Sequence, residues 1–290
     1  MVILGLPHGA FDHRLPSRLG VHWGRKPIWL GVYLTLYIAL AAGYFCLWLW
    51  KPEFAFIGFL LLTILHWGQG DQRFMEVFLG RLRPTHWGAW VTVWVRGGLP
   101  IILPVWVFPE TAESLFRYAA LGLGLERVTL ELSLPWLTTP LYIGFGLVLA
   151  AYLFNAVQAA PSATVLAVDL LELALLTACF TLIPAYLAIG IYFAFWHSLR
   201  HLARLLILGP EGTNRVVSGQ LLRSVRQLTL ALLPLTLVAL ALLGGLYLLS
   251  AARVTTLEGF VALYLVLISS LTLPHAVVTA LLDVWEPAVA

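Results

Sequence analysis

Charge is what this chain has least of. Asp, Glu, Lys and Arg make up only 11% of its 290 residues, against 61% hydrophobic, where soluble domains run at about 25% charged and about 45–50% apolar. That imbalance excludes a soluble globular chain and points to an integral membrane protein. Cysteine is nearly missing: Cys46 and Cys179 each fall inside an apolar run, which leaves no disulfide framework or thiolate metal site and makes both packing residues. There is no basic stripe either. With a net charge of +3 and the arginines scattered over short loops, the composition argues against nucleic acid and for orientation in a bilayer. No cleavable signal peptide is expected, because Met1-Val2-Ile3-Leu4-Gly5-Leu6 has no basic n-region and runs into Pro7-His8 without a small-residue cleavage site.

Apolar helix is abundant. A span needs about 20 mostly apolar residues, and candidates occur at roughly 1–13, 28–50, 54–78, 89–108, 139–157, 163–183, 184–207, 226–249 and 257–281. The expected fold is all-α, a polytopic transmembrane bundle of about 8–9 helices forming one membrane-embedded domain over 1–290. Pro184 must cut the apolar stretch around it. Residues 110–138 mix carboxylates, arginines and leucines and are expected to form an amphipathic outer loop or interfacial helix; 208–225 are expected to form an inner loop. Twelve of the seventeen basic residues crowd three alternate loops, around Arg14–Lys26, Arg73–Arg83 and Arg200–Arg226. The positive-inside rule then puts the N-terminus outside and the C-terminus in the cytoplasm.

On that orientation His8, His66, His197, His201 and His275 all fall at the midplane or in the cytoplasmic half. His197 and His201 are four residues apart, one helical turn, the reach needed to clamp one metal ion. An ionisable group inside a membrane is costly and marks function by default. A single histidine is adequately explained by a hydrogen bond across helices; several at one depth point to a shared metal site built from His8, His66, His197 and His201. His275 is open between a further ligand, a pocket wall and a structural hydrogen-bonder. No glutamate has a histidine three residues later, which disfavours a carboxylate-bridged di-iron bundle. A histidine shell suits Fe(II), Cu or Zn, and tetrahedral closure would suggest structural zinc.

Glu172, Asp169, Asp12 and Asp71 are candidates to accept an imidazole N–H and so orient a ligand, with pairing to Arg96 as the alternative for the first two. Trp67, Tyr192, Phe193, Phe195 and Trp196 lie beside the ligand candidates and are expected to wall an apolar tunnel. His-Trp-Gly occurs at 22–24, 66–68 and 86–88; the first and third copies are expected to be interfacial anchors.

Four motifs combine: Gly5-Leu6-Pro7-His8-Gly9-Ala10-Phe11-Asp12-His13, His66-Trp67-Gly68-Gln69-Gly70-Asp71, Trp196-His197-Ser198-Leu199-Arg200-His201 and Leu273-Pro274-His275. In order and spacing the chain resembles the Brp/Blh family of membrane β-carotene 15,15′-dioxygenases. The resemblance implies a non-haem Fe(II) enzyme that splits the central double bond of β-carotene with O₂ into two retinals, with supply of retinal to a rhodopsin. It implies His8, His66, His197 and His201 as the catalytic iron ligands. It also implies more apolar sequence before the first motif than Met1 to Leu4 supplies, so the first helix is expected to be either incomplete in this chain or unusually short. The competing classes are a histidine-rich membrane di-iron hydroxylase or desaturase, and a non-enzymatic metal or haem transporter or retinal-binding chaperone.

Overall fold

A computed structural model describes residues 12, 27–82, 85–126, 128–132, 134–207 and 221–285. The expected first helix, with His8, His13 and His22, lies outside these residues. The helices are α1 (Pro27–Trp50), α2 (Pro52–Leu79), α3 (His86–Val107), α4 (Pro109–Gly122), α5 (Pro135–Ala159) and α6 (Ala163–Leu182), then α7 (Ala185–Ile191), a π turn (Tyr192–His197) and α8 (Ser198–Ile207), and finally α9 (Leu221–Ser250) and α10 (Leu257–Trp285). Among the described residues there is no strand. The protein is an all-helical polytopic bundle, with each expected run from 28 onward present as helix.

Two boundaries differ from expectation. Within 110–138, α4 runs to Gly122 and α5 already begins at Pro135; between them the Glu113 carboxylate accepts the amide of Leu132 at 2.7 Å, folding the connector back onto α4. α9 begins at Leu221, inside the 208–225 stretch expected to be an inner loop; residues 208–220 lie outside the described residues. Pro184 cuts the long apolar stretch as its missing N–H requires, standing between α6 and α7.

Among the described residues six helices are long and apolar enough to cross a membrane: 28–50, 86–107, 138–159, 163–182, 232–250 and 257–281. Their outward faces carry exposed Leu36, Ile38, Leu147, Phe154, Leu171 and Leu248, an apolar area that water would not tolerate on a monomer and lipid accepts. The helix carrying His66 and the α7–α8 run carrying His197 and His201 are not among the six. Their polar residues turn inward, toward other helices.

Close backbone approach presses α2 onto α3. A Cβ on Gly97 would lie 1.8 Å from the carbonyl oxygen of Ile64, and one on Gly68 would lie 2.0 Å from that of Val93, so only glycine fits either place. This contact brings Arg96, next to Gly97, against Asp71. On the other side of α2, Trp48 of α1 donates its indole N–H to Ser269 of α10 at 2.8 Å, and Phe56 and Phe116 pack edge to face, tying in α4.

Candidate functional site

Four imidazoles from three places in the chain meet inside the bundle. Ring centroids are 5.0 Å apart for His66 and His197, 4.7 Å for His66 and His275, 5.4 Å for His201 and His275, and 6.5 Å for His197 and His201. All four residues are buried. His66 comes from mid-α2 and His275 from α10 directly after Pro274. His197 ends the π turn and His201 follows on α8. The π turn adds a residue to the local winding, a departure common at functional sites. Ser198 supports it by donating its hydroxyl to the carbonyl of Phe193 at 2.6 Å.

Hydrogen bonds orient two of the rings. The Thr279 hydroxyl lies 3.1 Å from the carbonyl of Ala276 and 3.3 Å from His66 Nδ1. When it donates to the carbonyl its oxygen accepts from Nδ1, and His66 then carries its lone pair on Nε2. The Nδ1 of His275 lies 2.8 Å from Asp12 Oδ2, which also accepts the Tyr37 hydroxyl at 3.3 Å. Among the described residues no three His, Cys, Asp or Glu side chains form a group closed enough to hold an ion; His8 lies outside these residues.

Among the described residues, Asp71, Asp169 and Glu172 meet arginines rather than imidazoles. They surround arginines, because a guanidinium as buried as that of Arg96, at 0% exposure, demands charge partners. Arg96 faces Glu172 at 3.1 Å and Asp71 at 3.4 Å, pairs closely with Asp169, and donates through Nε to the Tyr152 hydroxyl at 2.9 Å. Arg81 reaches Asp169 at 3.1 Å and Tyr152 at 3.0 Å. Arg200 bridges Asp71 and Glu172. Three guanidiniums thus meet three carboxylates in a neutral cluster joining α2, α3, α5, α6 and α8 on one side of the histidines. Of the four carboxylates expected to orient a ligand, Asp12 is the one hydrogen-bonded to an imidazole.

An apolar chamber of about 350 Å³ ends on His66 and His275. Along α10 its wall is Val261, Tyr264, Leu265, Ile268, Leu271, Thr272 and His275, spaced three or four residues apart or adjacent, one face of a helix. From Val261 to His275 this face is about 21 Å long at about 1.5 Å per residue. Residues of α1, α2, α3, α4, α7, the π turn and α9 complete the wall, with Asp12 and Phe108. Of the five aromatic residues expected to line a tunnel, Trp67 and Phe193 do. Tyr192 is buried in the core against Trp67 and Phe180. Phe195 points away and is 61% exposed. Trp196 donates to Asp71 at 3.1 Å and stacks under Arg200.

Sequence reasoning missed Tyr37, Thr279 and the role of Arg200. Thr279 lies one turn beyond His275, and Arg200 sits between His197 and His201, so helical spacing from the ligand candidates was the available signal. His86, at the start of α3, is exposed beside Trp87.

Fold and site together define a polytopic helical membrane protein whose apolar chamber ends on clustered histidines. Residues 1–283 match the model of the beta-carotene 15,15'-dioxygenase family, and the chain belongs to that family. It is 35% identical to the probable beta-carotene 15,15'-dioxygenase Blh of Halobacterium salinarum over 286 residues, covering 97% of this chain and 82% of the relative. The probable beta-carotene 15,15'-dioxygenase Brp of the same species is 27% identical over 98% of this chain and 81% of its own. A beta-carotene 15,15'-dioxygenase from an uncultured marine bacterium is 32% identical over 35% of each chain. No solved structure matches.

Proposed function

We propose that this protein cleaves the central double bond of β-carotene with O₂, giving two retinals, at an Fe(II) held by His66, His197 and His201 together with His8. The observation that carries the reading is the apolar chamber ending on the imidazole cluster. Ring spacing supports the metal. A metal–nitrogen bond of about 2.1 Å puts each ring centroid about 3.2 Å from the ion, so imidazoles at right angles, in tetrahedral array and opposed have centroids about 4.5, about 5.3 and about 6.4 Å apart. The spacings of 4.7 to 6.5 Å cover that range. With its Nδ1 proton toward Thr279, His66 presents its lone pair on Nε2, the tautomer a ligand needs.

Bound iron supplies the binding and activation of O₂. The chain supplies the rest. The chamber takes up a rigid hydrocarbon directly from lipid, without passage through water. Its walls hold the polyene so that one double bond lies beside the histidines. Burial of the site keeps water from it. In the cleavage the C=C and O–O bonds break and two C=O bonds form, which needs no acid, base or nucleophile from the protein.

The basic residues support an outer N-terminus and an inner C-terminus, with the histidines in the cytoplasmic half: Arg73, Arg81, Arg200 and Arg204 lie toward the histidine end of their helices. A rhodopsin is the proposed recipient of the retinal, the aldehyde it binds as chromophore. The test is turnover by purified protein with iron analysis: stoichiometric iron and retinal formation from β-carotene support the reading, and full metal loading without retinal overturns it.

A further inference from the structure

We propose that His275 is an additional ligand of the iron, bonding through Nε2, and that Asp12 is its positioning residue. This rests on the iron reading above and extends it to a fifth imidazole.

Three observations converge. First, Nδ1 of His275 is engaged by the Asp12 carboxylate at 2.8 Å. A carboxylate accepts, so the ring proton sits on Nδ1 and the lone pair on Nε2, which the ring geometry aims away from Asp12. Secondly, the ring stands edge-on to two other cluster members, His66 at 77° and His201 at 79°, with centroids 4.7 and 5.4 Å away. Those spacings are within the range of imidazoles about one ion. Thirdly, Asp12 is held in place from α1 by the Tyr37 hydroxyl at 3.3 Å and is 1% exposed. A fixed carboxylate behind an imidazole raises its donor strength and locks its orientation.

The experiment uses the full-length protein in detergent, loaded anaerobically with Fe(II). His275→Ala is expected to retain iron about 10–100-fold less well against a chelator, the scale at which loss of such a partner is felt, and added imidazole is expected to restore retention. His275→Asn keeps a donor toward Asp12 and so preserves the local fold; it is expected to lose iron equally. Asp12→Asn is expected to raise the Fe(III)/Fe(II) midpoint potential, because the ligand it supports becomes a weaker donor. Iron retention and potential unchanged in all three variants would overturn the proposal. Wild-type protein that takes up no iron overturns the iron reading as well, whereas wild-type loading with undiminished loading of His275→Asn overturns this inference alone.

Discussion

Arg200 lies between His197 and His201 in the chain, and its guanidinium closes on Asp71, five residues beyond His66 on α2. The two helices that bring these histidines together are therefore latched by one ion pair just beyond the imidazoles. Its other arm reaches Glu172, and its plane is stacked on Trp196 at 4.0 Å and Phe74 at 4.4 Å. Lysine keeps the charge and loses the fork and the stacking. Arg200→Lys is expected to cost about 1–3 kcal/mol, read as a lower thermal midpoint in detergent, with iron lost more readily. An unchanged midpoint and unchanged iron retention would remove the latch from the account.

His197→Ala and His201→Ala are each expected to abolish iron loading and retinal formation, while His86→Ala, at an exposed helix start, keeps both. Metal analysis and product chromatography on the same preparations decide it. Normal turnover in either of the first two variants refutes their ligand role.

Asp169→Asn is expected to act on stability before chemistry. It leaves Arg96 and Arg81 short of a carboxylate in the buried cluster, and breaking a buried ion pair costs about 3–5 kcal/mol. Glu172→Gln is expected to cost less, because Glu172 is 14% exposed and water can take up part of the loss. Thermal unfolding in detergent gives the order; a larger loss at Glu172 would contradict it.

Gly97→Ala is expected to destabilise by at least about 1–3 kcal/mol, the range for overpacking, since its methyl meets backbone. Gly43→Ala on α1, with nothing within 4 Å of the added atom, is the matched control. Equal thermal midpoints for the two would mean that α2 and α3 can separate without cost.

The chamber gives a test of substrate fit that spares the metal. Ala112 lines it from α4, so Ala112→Trp is expected to lower kcat/KM for β-carotene about tenfold or more, roughly 1.4 kcal/mol, with iron content unchanged. Phe195→Ala, on a face turned away from the chamber, is expected to leave kcat/KM unaltered. The reverse pattern would return Phe195 to the tunnel.

Much of the bundle was legible because apolar runs of membrane length, cut by prolines, carry their own boundaries; Pro184 is the clearest case. The meeting of His66, His197 and His201 was legible from depth along alternating helices. The partners of Asp71, Asp169 and Glu172 were not, since depth says how far along a helix a residue lies and not which neighbour it faces. That choice is made by Gly68 and Gly97, whose missing Cβ atoms bring Arg96 to the carboxylates. The π turn at 192–197 was invisible for another reason: Tyr-Phe-Ala-Phe-Trp-His is ordinary helical sequence, and its winding is set by tertiary packing. Phe195 and Trp196 were misjudged because an extra residue per turn rotates their directions.

The helix bearing His66 is missing from the set apolar enough to cross lipid unaided, and this bears on how the protein is made. It leaves the ribosome with Glu53, Asp71, Arg73 and Glu76, whereas Arg96 follows one hairpin later and Arg200 more than a hundred residues later. A nascent α2 with unneutralised Asp71 is poorly held by lipid. Its stable residence in the bilayer is gained only as later segments arrive to meet its charges. A chain that fails to assemble the arginine cluster is therefore expected to hold His66 in the bilayer less well.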